Sequence, residues 1–304
     1  MITRYEHKGL AWVDAASPSG EELAALGEEF HINPLVAEEL RVPSFRPKAD
    51  FYRDSLYLVL HFPAFRHTHG NDRRQEVDFI IGRKFLLTVR YDTIDALDKF
   101  SKEFETNSIL SKREIGDHAG YLFHLLIKKL YRSLVHELEH IERRLDEVEG
   151  KIFRGEEEKM VIALSGIARD LLNFKQVIRG HEEILRSFDV IGRKFFGEEF
   201  APHLSAILGE YERVRNALEG QKETLHELRS TNDSLLSAKI NGVMRTLTAV
   251  TFATFPPAFI AWMFSMRAIH MPIIGIMGDF WILLGFMVAS TAATFWLFAH
   301  KKWI

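Results

Sequence analysis

Asn241, Met244, Thr248, Thr251, Phe255, Ala258 and Trp262 recur at alternating steps of three and four. That spacing puts side chains on one stripe of a helix. The stripe mixes an amide, two hydroxyls and bulky apolar groups, and the stretch from Thr246 to Phe264 has no ionisable side chain. About 19 such residues cross a hydrocarbon core of roughly 30 Å as a helix. A helix that meets only lipid has little use for hydroxyls on a stripe, whereas one that lines a pore or a helix–helix seam does. A second uncharged span, Phe280 to Ala299, follows after a short loop.

Other residues offer chemistry of other kinds. His67, Thr68, His69 and Asp72 sit together in a polar stretch and are of metal-ligating type. A zinc site needs three or four convergent ligands and a supporting shell, so a solvated loop is the plainer reading. Glu137, Glu139, Glu142, Asp146, Glu147 and Glu149 lie mostly off an apolar seam. They read either as a solvated helix face or as acids that concentrate cations near a pore mouth. His181 falls on an apolar seam and reads as a hydrogen-bonded core histidine. There is no Gly-rich phosphate loop, nucleophile elbow or paired His-Glu metalloprotease motif, so no enzyme and no cofactor are expected.

The elements that must position the stripe follow from periodicity. Leu10 to Val13, Leu56 to Phe62, Val77 to Ile81 and Lys84 to Arg90 are strand candidates, the last two joined at Gly82-Arg83 by a hairpin. Ser17-Pro18 and Asn33-Pro34 both pair a capping side chain with a proline suited to the first helical position. From Gly120 onward apolar residues recur every three or four. One run extends from Phe123 to Ile152 and a second from Met160 to Phe188, joined near Gly155. These read as two long amphipathic helices in an antiparallel hairpin. A third seam starts at Leu204 and carries Gln221 and Asn232 among its apolar positions, with no strong helix breaker before Pro256-Pro257. About sixty residues of helix would make a rod of roughly 90 Å. The prolines should kink it inside the bilayer.

Composition agrees with a mostly soluble chain whose last fifth is membrane-like. The formal charge of −3 gives no basic face for nucleic acid. The chain has no cysteine, which removes disulfides and thiolate metal sites. Met1 to Asp14 lacks an apolar core segment, so no signal peptide is expected. Arg245 before the first span and Lys301 and Lys302 after the second place both termini in the cytoplasm of a cell with an inner, or plasma, membrane. The expected division is 1–115 for an α/β domain, 116–245 for the long helical hairpin and stalk helix, and 246–304 for the membrane region.

In order and spacing, Trp12-Val-Asp14, Asn33-Pro34, Arg46-Pro-Lys48, Leu56-Tyr-Leu-Val-Leu60, Val77-Asp-Phe79 and Phe85-Leu-Leu-Thr-Val89 resemble the cytoplasmic domain of the CorA family of divalent-cation channels. Asn241-x-x-Met244-Arg245-x-Leu247-Thr248 and Pro256 resemble the start of that family's first membrane helix. Met271-Pro272 and Lys301-Lys-Trp303 fit as well. The resemblance implies an α+β cytoplasmic domain, long stalk helices and two transmembrane helices in a funnel-shaped homopentamer. Five first helices would then line one pore, with a transported or regulatory divalent cation as ligand.

The family's Gly-Met-Asn signature at the pore entrance is matched here by Ser265, Met266 and Arg267. A neutral amide accepts hydrogen bonds from the waters that Mg²⁺ sheds reluctantly, whereas arginine has donors only and stays charged. Three placements of Arg267 are open: a positive ring at the mouth, a side chain that snorkels to lipid phosphate, or a pair with Asp279. The ring would favour an anion-permeable or non-conducting regulatory pentamer on the same scaffold. Trp262 reads as a plug or an interfacial anchor, and Met244 and Phe255 resemble a hydrophobic gate. The family's regulatory metal site implies an acid at the position that is Ala206 here, so that half is missing; Asp95 and Asp98 are candidates for its other half.

Overall fold

The computed structural model describes residues 1–7, 9–63, 74–105, 116–266, 273–275 and 277–300. The chain forms two compact units. The first comprises Met1–Arg154 and Lys159–Leu228, and the second comprises Gly155–Glu158 and Arg229–Ile304.

The first unit is built on one sheet. Its strands are β1 (Ile2–His7), β2 (Leu10–Ala16), β3 (Lys48–Tyr52), β4 (Ser55–Pro63), β5 (Arg74–Ile81) and β6 (Phe85–Arg90). They lie in the order β1-β2-β6-β5-β4-β3, with β2 and β6 parallel and every other pair antiparallel. Helices α1 (Gly20–Glu29) and α2 (Pro34–Glu39) cover one face, packing Leu23, Leu26 and Val36 on Val13, Val59, Ile80 and Leu87. Helices α3 (Asp95–Glu105) and α4 (Gly120–Ile152) cover the other, where Trp12 meets Phe100 and Phe79 meets Phe123. Because both faces are covered, β4 is buried along its whole length and is apolar on both faces from Leu56 to Leu60.

The Gly82 hairpin is confirmed: Gly82 N–H donates to Phe85 O at 2.9 Å, and any Cβ at Gly82 would collide with the Phe85 ring. Asn33 caps α2 with Pro34 behind it, as expected. The start of α1 differs from expectation. Its cap is Ser19, which forms a reciprocal capping box with Glu22. Ser17 instead continues the strand pairing, its N–H donating to Arg90 O, and adopts φ +45°.

Three long helices follow. Leu130, Leu134, Leu138, Ile141 and Leu145 form the buried side of α4, and the acids from Glu139 to Glu149 lie outside it. The run from Met160 to Phe188, expected as one helix, is two: α5 (Glu157–Ile178) and α6 (His181–Phe196). The break falls at Arg179-Gly180, and a Cβ at Gly180 would lie 2.9 Å from Pro47 Cγ, so the glycine packs closely on the segment before β3. His181, the first residue of α6, is fully buried as expected, between Tyr131 OH at 2.8 Å and His61 O at 2.7 Å.

After the short 3-10 turn Glu198–Phe200, α7 runs unbroken from Ala201 to Ser265 with Pro256 and Pro257 inside it. Leu204, Ile207, Tyr211, Val214 and Leu218 are buried on its seam, and Gln221 donates to Leu138 O. The last helix, α8, is Asp279–His300.

Candidate functional site

Among the described residues, two helices are long and apolar enough to cross a membrane, and the second unit holds their apolar segments, the part of α7 ending at Ser265 and Asp279–Phe298 of α8. Between them Asp279 organises the turn: its carboxylate accepts from Gly275 N at 3.2 Å and from Phe280 N at 2.7 Å.

Within this unit α8 covers one side of α7. Ala249, Ala253, Ile260 and Phe264 of α7 face Thr291, Phe295, Leu283 and Met287 of α8, and Phe252 meets Phe298 with ring centroids 5.9 Å apart. At about 100° per residue, Asn241, Met244, Thr248, Thr251, Phe255, Ala258 and Trp262 centre on roughly the opposite side of the helix. Met244, Phe255 and Trp262 are 54%, 56% and 67% exposed there. The polar stripe is therefore the face that α8 leaves uncovered.

The hydroxyls on that face have a defined polarity. Thr248 Oγ1 donates to Met244 O at 2.8 Å and Thr251 Oγ1 donates to Leu247 O at 2.9 Å. With the proton turned back to the helix, the oxygen lone pairs remain as acceptors. An acceptor surface suits the waters around a cation, whose hydrogens point outward.

At the start of the stripe, Lys239 Nζ donates to Glu157 Oε2 at 3.2 Å and to Gly155 O at 3.5 Å. Gly155, which takes φ +88°, and Glu157 are thereby fastened just ahead of Asn241. Glu157 is held below the usual carboxylate range, first by its own backbone amide and then by Lys239.

Ser265 ends α7 and Met266 is 66% exposed. Arg267, Met271, Pro272 and the Lys301-Lys302-Trp303 tail lie outside the described residues, as do His67, Thr68, His69 and Asp72. Asp98 is engaged elsewhere: Arg90 Nη2 donates to Asp98 Oδ1 at 2.7 Å and to Asp14 Oδ2 at 2.9 Å. Asp95, at the start of α3, instead lines a cavity of the first unit with Lys99, Arg132 and His136. Ala206 is exposed on α7. Among the described residues no group of three or more His, Asp or Glu is placed to hold a metal ion. The facing side of α7 was not read from the sequence, although Ala249, Ala253 and Pro257 recur at the four-residue step of a packed helix face.

Comparison with known proteins places this architecture. The chain matches the family described as CorA-like Mg²⁺ transporter protein over residues 7–302. It is 26% identical to YfjQ of Bacillus subtilis over 99% of this chain and 93% of that protein. It is 22% identical to the cobalt/magnesium transport protein CorA of Methanocaldococcus jannaschii, again over 99% of this chain and 93% of that one. The complete structure of the CorA magnesium transporter from the same organism superimposes with a TM-score of 0.82 at 21% identity, covering 99% of this chain and 93% of that chain.

Proposed function

The chain belongs to the CorA family of divalent-cation transporters, and from that premise we propose that α7 lines a pore through which hydrated divalent cations pass. The observation that carries this reading is the polar stripe on the side of α7 opposite α8. Asn241, Thr248 and Thr251 would present oxygen acceptors to the ion's water shell. Met244 and Phe255 would close the path by dewetting, and Trp262 would constrict it toward the entrance formed by Ser265, Met266 and Arg267. The two threonine oxygens, with their protons already spent on the helix backbone, favour a hydrated cation over an anion at this depth, because an anion orients its waters the other way.

A single α7 encloses nothing, so the reading requires several copies around one axis; the family resemblance supports five. It also supports an inner-membrane location with both termini in the cytoplasm, and residues 1–115, 116–245 and 246–304 as cytoplasmic, stalk and membrane parts. The protein acts as a conduit and not as an enzyme, and the divalent ion is its cargo and not a resident cofactor.

Ion flux into proteoliposomes tests this directly, with Mg²⁺, Zn²⁺, Na⁺ and Cl⁻ compared for the parent and for Arg267→Asn. Divalent flux in the parent is the expected result. Chloride flux, or divalent flux seen only in Arg267→Asn, would assign the scaffold to the anion-permeable or non-conducting role instead.

A further inference from the structure

Helices α7 and α8 leave a cavity of about 560 Å³ along one flank of their contact. Ala249, Val250 and Ala253 of α7 and Thr291 and Phe295 of α8 form its walls, and Arg245 stands at its rim. The wall hydroxyls have no proton left for a ligand, since Thr246, Thr254 and Thr291 Oγ1 donate to Gly242 O, Val250 O and Met287 O, and the other wall residues are alanine, valine and phenylalanine. The interior is thus apolar and within the roughly 300–1,000 Å³ that holds a small ligand. The rim is cationic, and among the described residues Arg245 has no ion-pair partner.

We propose that this groove seats an acyl chain of an anionic phospholipid, with the headgroup phosphate on the Arg245 guanidinium. The inference rests on the reading that α7 and α8 span a membrane. Arginine's forked donors match a phosphate oxygen pair, and an apolar trough below a basic rim is how helix pairs select acidic lipids. Charge argues against a second copy of the helix pair as occupant. From Ser234 to the end of the chain the one carboxylate side chain is Asp279, at the far end of α8 from Thr291 and Phe295. Another α7–α8 pair would bring no counter-charge to Arg245, whereas a lipid phosphate brings one.

Native mass spectrometry of the full chain, released from vesicles of equal phosphatidylglycerol and phosphatidylcholine, tests this. The expected result is preferential retention of phosphatidylglycerol by about tenfold. Arg245→Ala should bring the preference to near parity while still holding lipid, and Arg245→Lys should keep part of it. Ala253→Phe, which fills the trough, should release bound lipid with the oligomer intact. Equal retention of the two lipids by the parent, or an unchanged preference in Arg245→Ala, would overturn the proposal. So would dissociation of the oligomer by Ala253→Phe, which would assign the groove to a neighbouring copy. Extraction of the parent from membranes by alkaline carbonate would instead defeat the membrane reading itself.

Discussion

Tyr131 of α4 donates its hydroxyl proton to His181 Nδ1 of α6 across 2.8 Å, because the other ring nitrogen must carry a proton to reach the carbonyl of His61 at 2.7 Å. One neutral imidazole thereby joins two long helices to strand β4. Burial pushes its pKa from 6.5 down to about 4.

The sign of the resulting pH dependence is fixed. Between pH 6.5 and about 4 the unfolded chain takes up a proton that folded His181 refuses. Stability should therefore fall as pH drops through that window, by at most on the order of 3 kcal/mol. Thermal unfolding of the full chain in detergent at pH 7 and pH 5 measures it. His181→Gln should be less stable at pH 7 and should lose part of the slope.

Arg90 bridges Asp14, which is 5% exposed, and the more open Asp98. Arg90→Ala strands a buried carboxylate and should cost about 3–5 kcal/mol. Asp98→Asn disrupts only the outer pair and should cost about 1 kcal/mol or less. Chemical denaturation of the two variants side by side gives the ratio; equal losses would contradict the bridge.

Asp98 is already neutralised by Arg90, and Asp95 lines a cavity shared with Lys99 and Arg132. Any protection that millimolar Mg²⁺ gives against limited proteolysis should therefore be the same in the parent and in Asp95→Asn/Asp98→Asn. Protection lost in the double variant would place a regulatory metal at these carboxylates.

The stripe makes two opposite predictions for flux. Thr251→Val keeps the shape and removes the acceptor, and should lower divalent flux about tenfold if the net loss is one hydrogen bond to the ion's water shell. Trp262→Ala opens the narrow end and should raise it. Time courses of Mg²⁺ entry into proteoliposomes measure both, and unchanged rates in both would take these residues off the ion path.

Much of this structure can be read from residues whose pattern reports their own surroundings. Leu56 to Leu60 is apolar without alternation because both sides of β4 are covered, and the three-and-four spacing from Asn241 to Trp262 survives as one helix face. What escapes the sequence depends on distant partners. β1 is an edge strand held on one side only, so its mixture of Arg4, Tyr5 and Glu6 carries no strong period. The break between α5 and α6 falls at Gly180, which lies against Pro47 more than a hundred positions earlier, while the apolar spacing runs smoothly through it. Asp98 looked available as a ligand because its partner Arg90 lies on a neighbouring strand end. The groove beside Ala249 and Ala253 exists only once α8 is laid against α7.

The strand order has a last consequence. Its two free borders, β1 and β3, are short and charged: Arg4 pairs with Glu29 of α1, and Lys48 pairs with Glu39 of α2 and with Asp50. Such borders resist the addition of a strand from another chain. If several copies assemble as proposed, their first units would meet through helix flanks and side chains, with no shared backbone ladder to lock their register. Contacts of that kind can repack between discrete arrangements. The sheet stays a rigid private core, and any movement between neighbours falls to the surfaces around it.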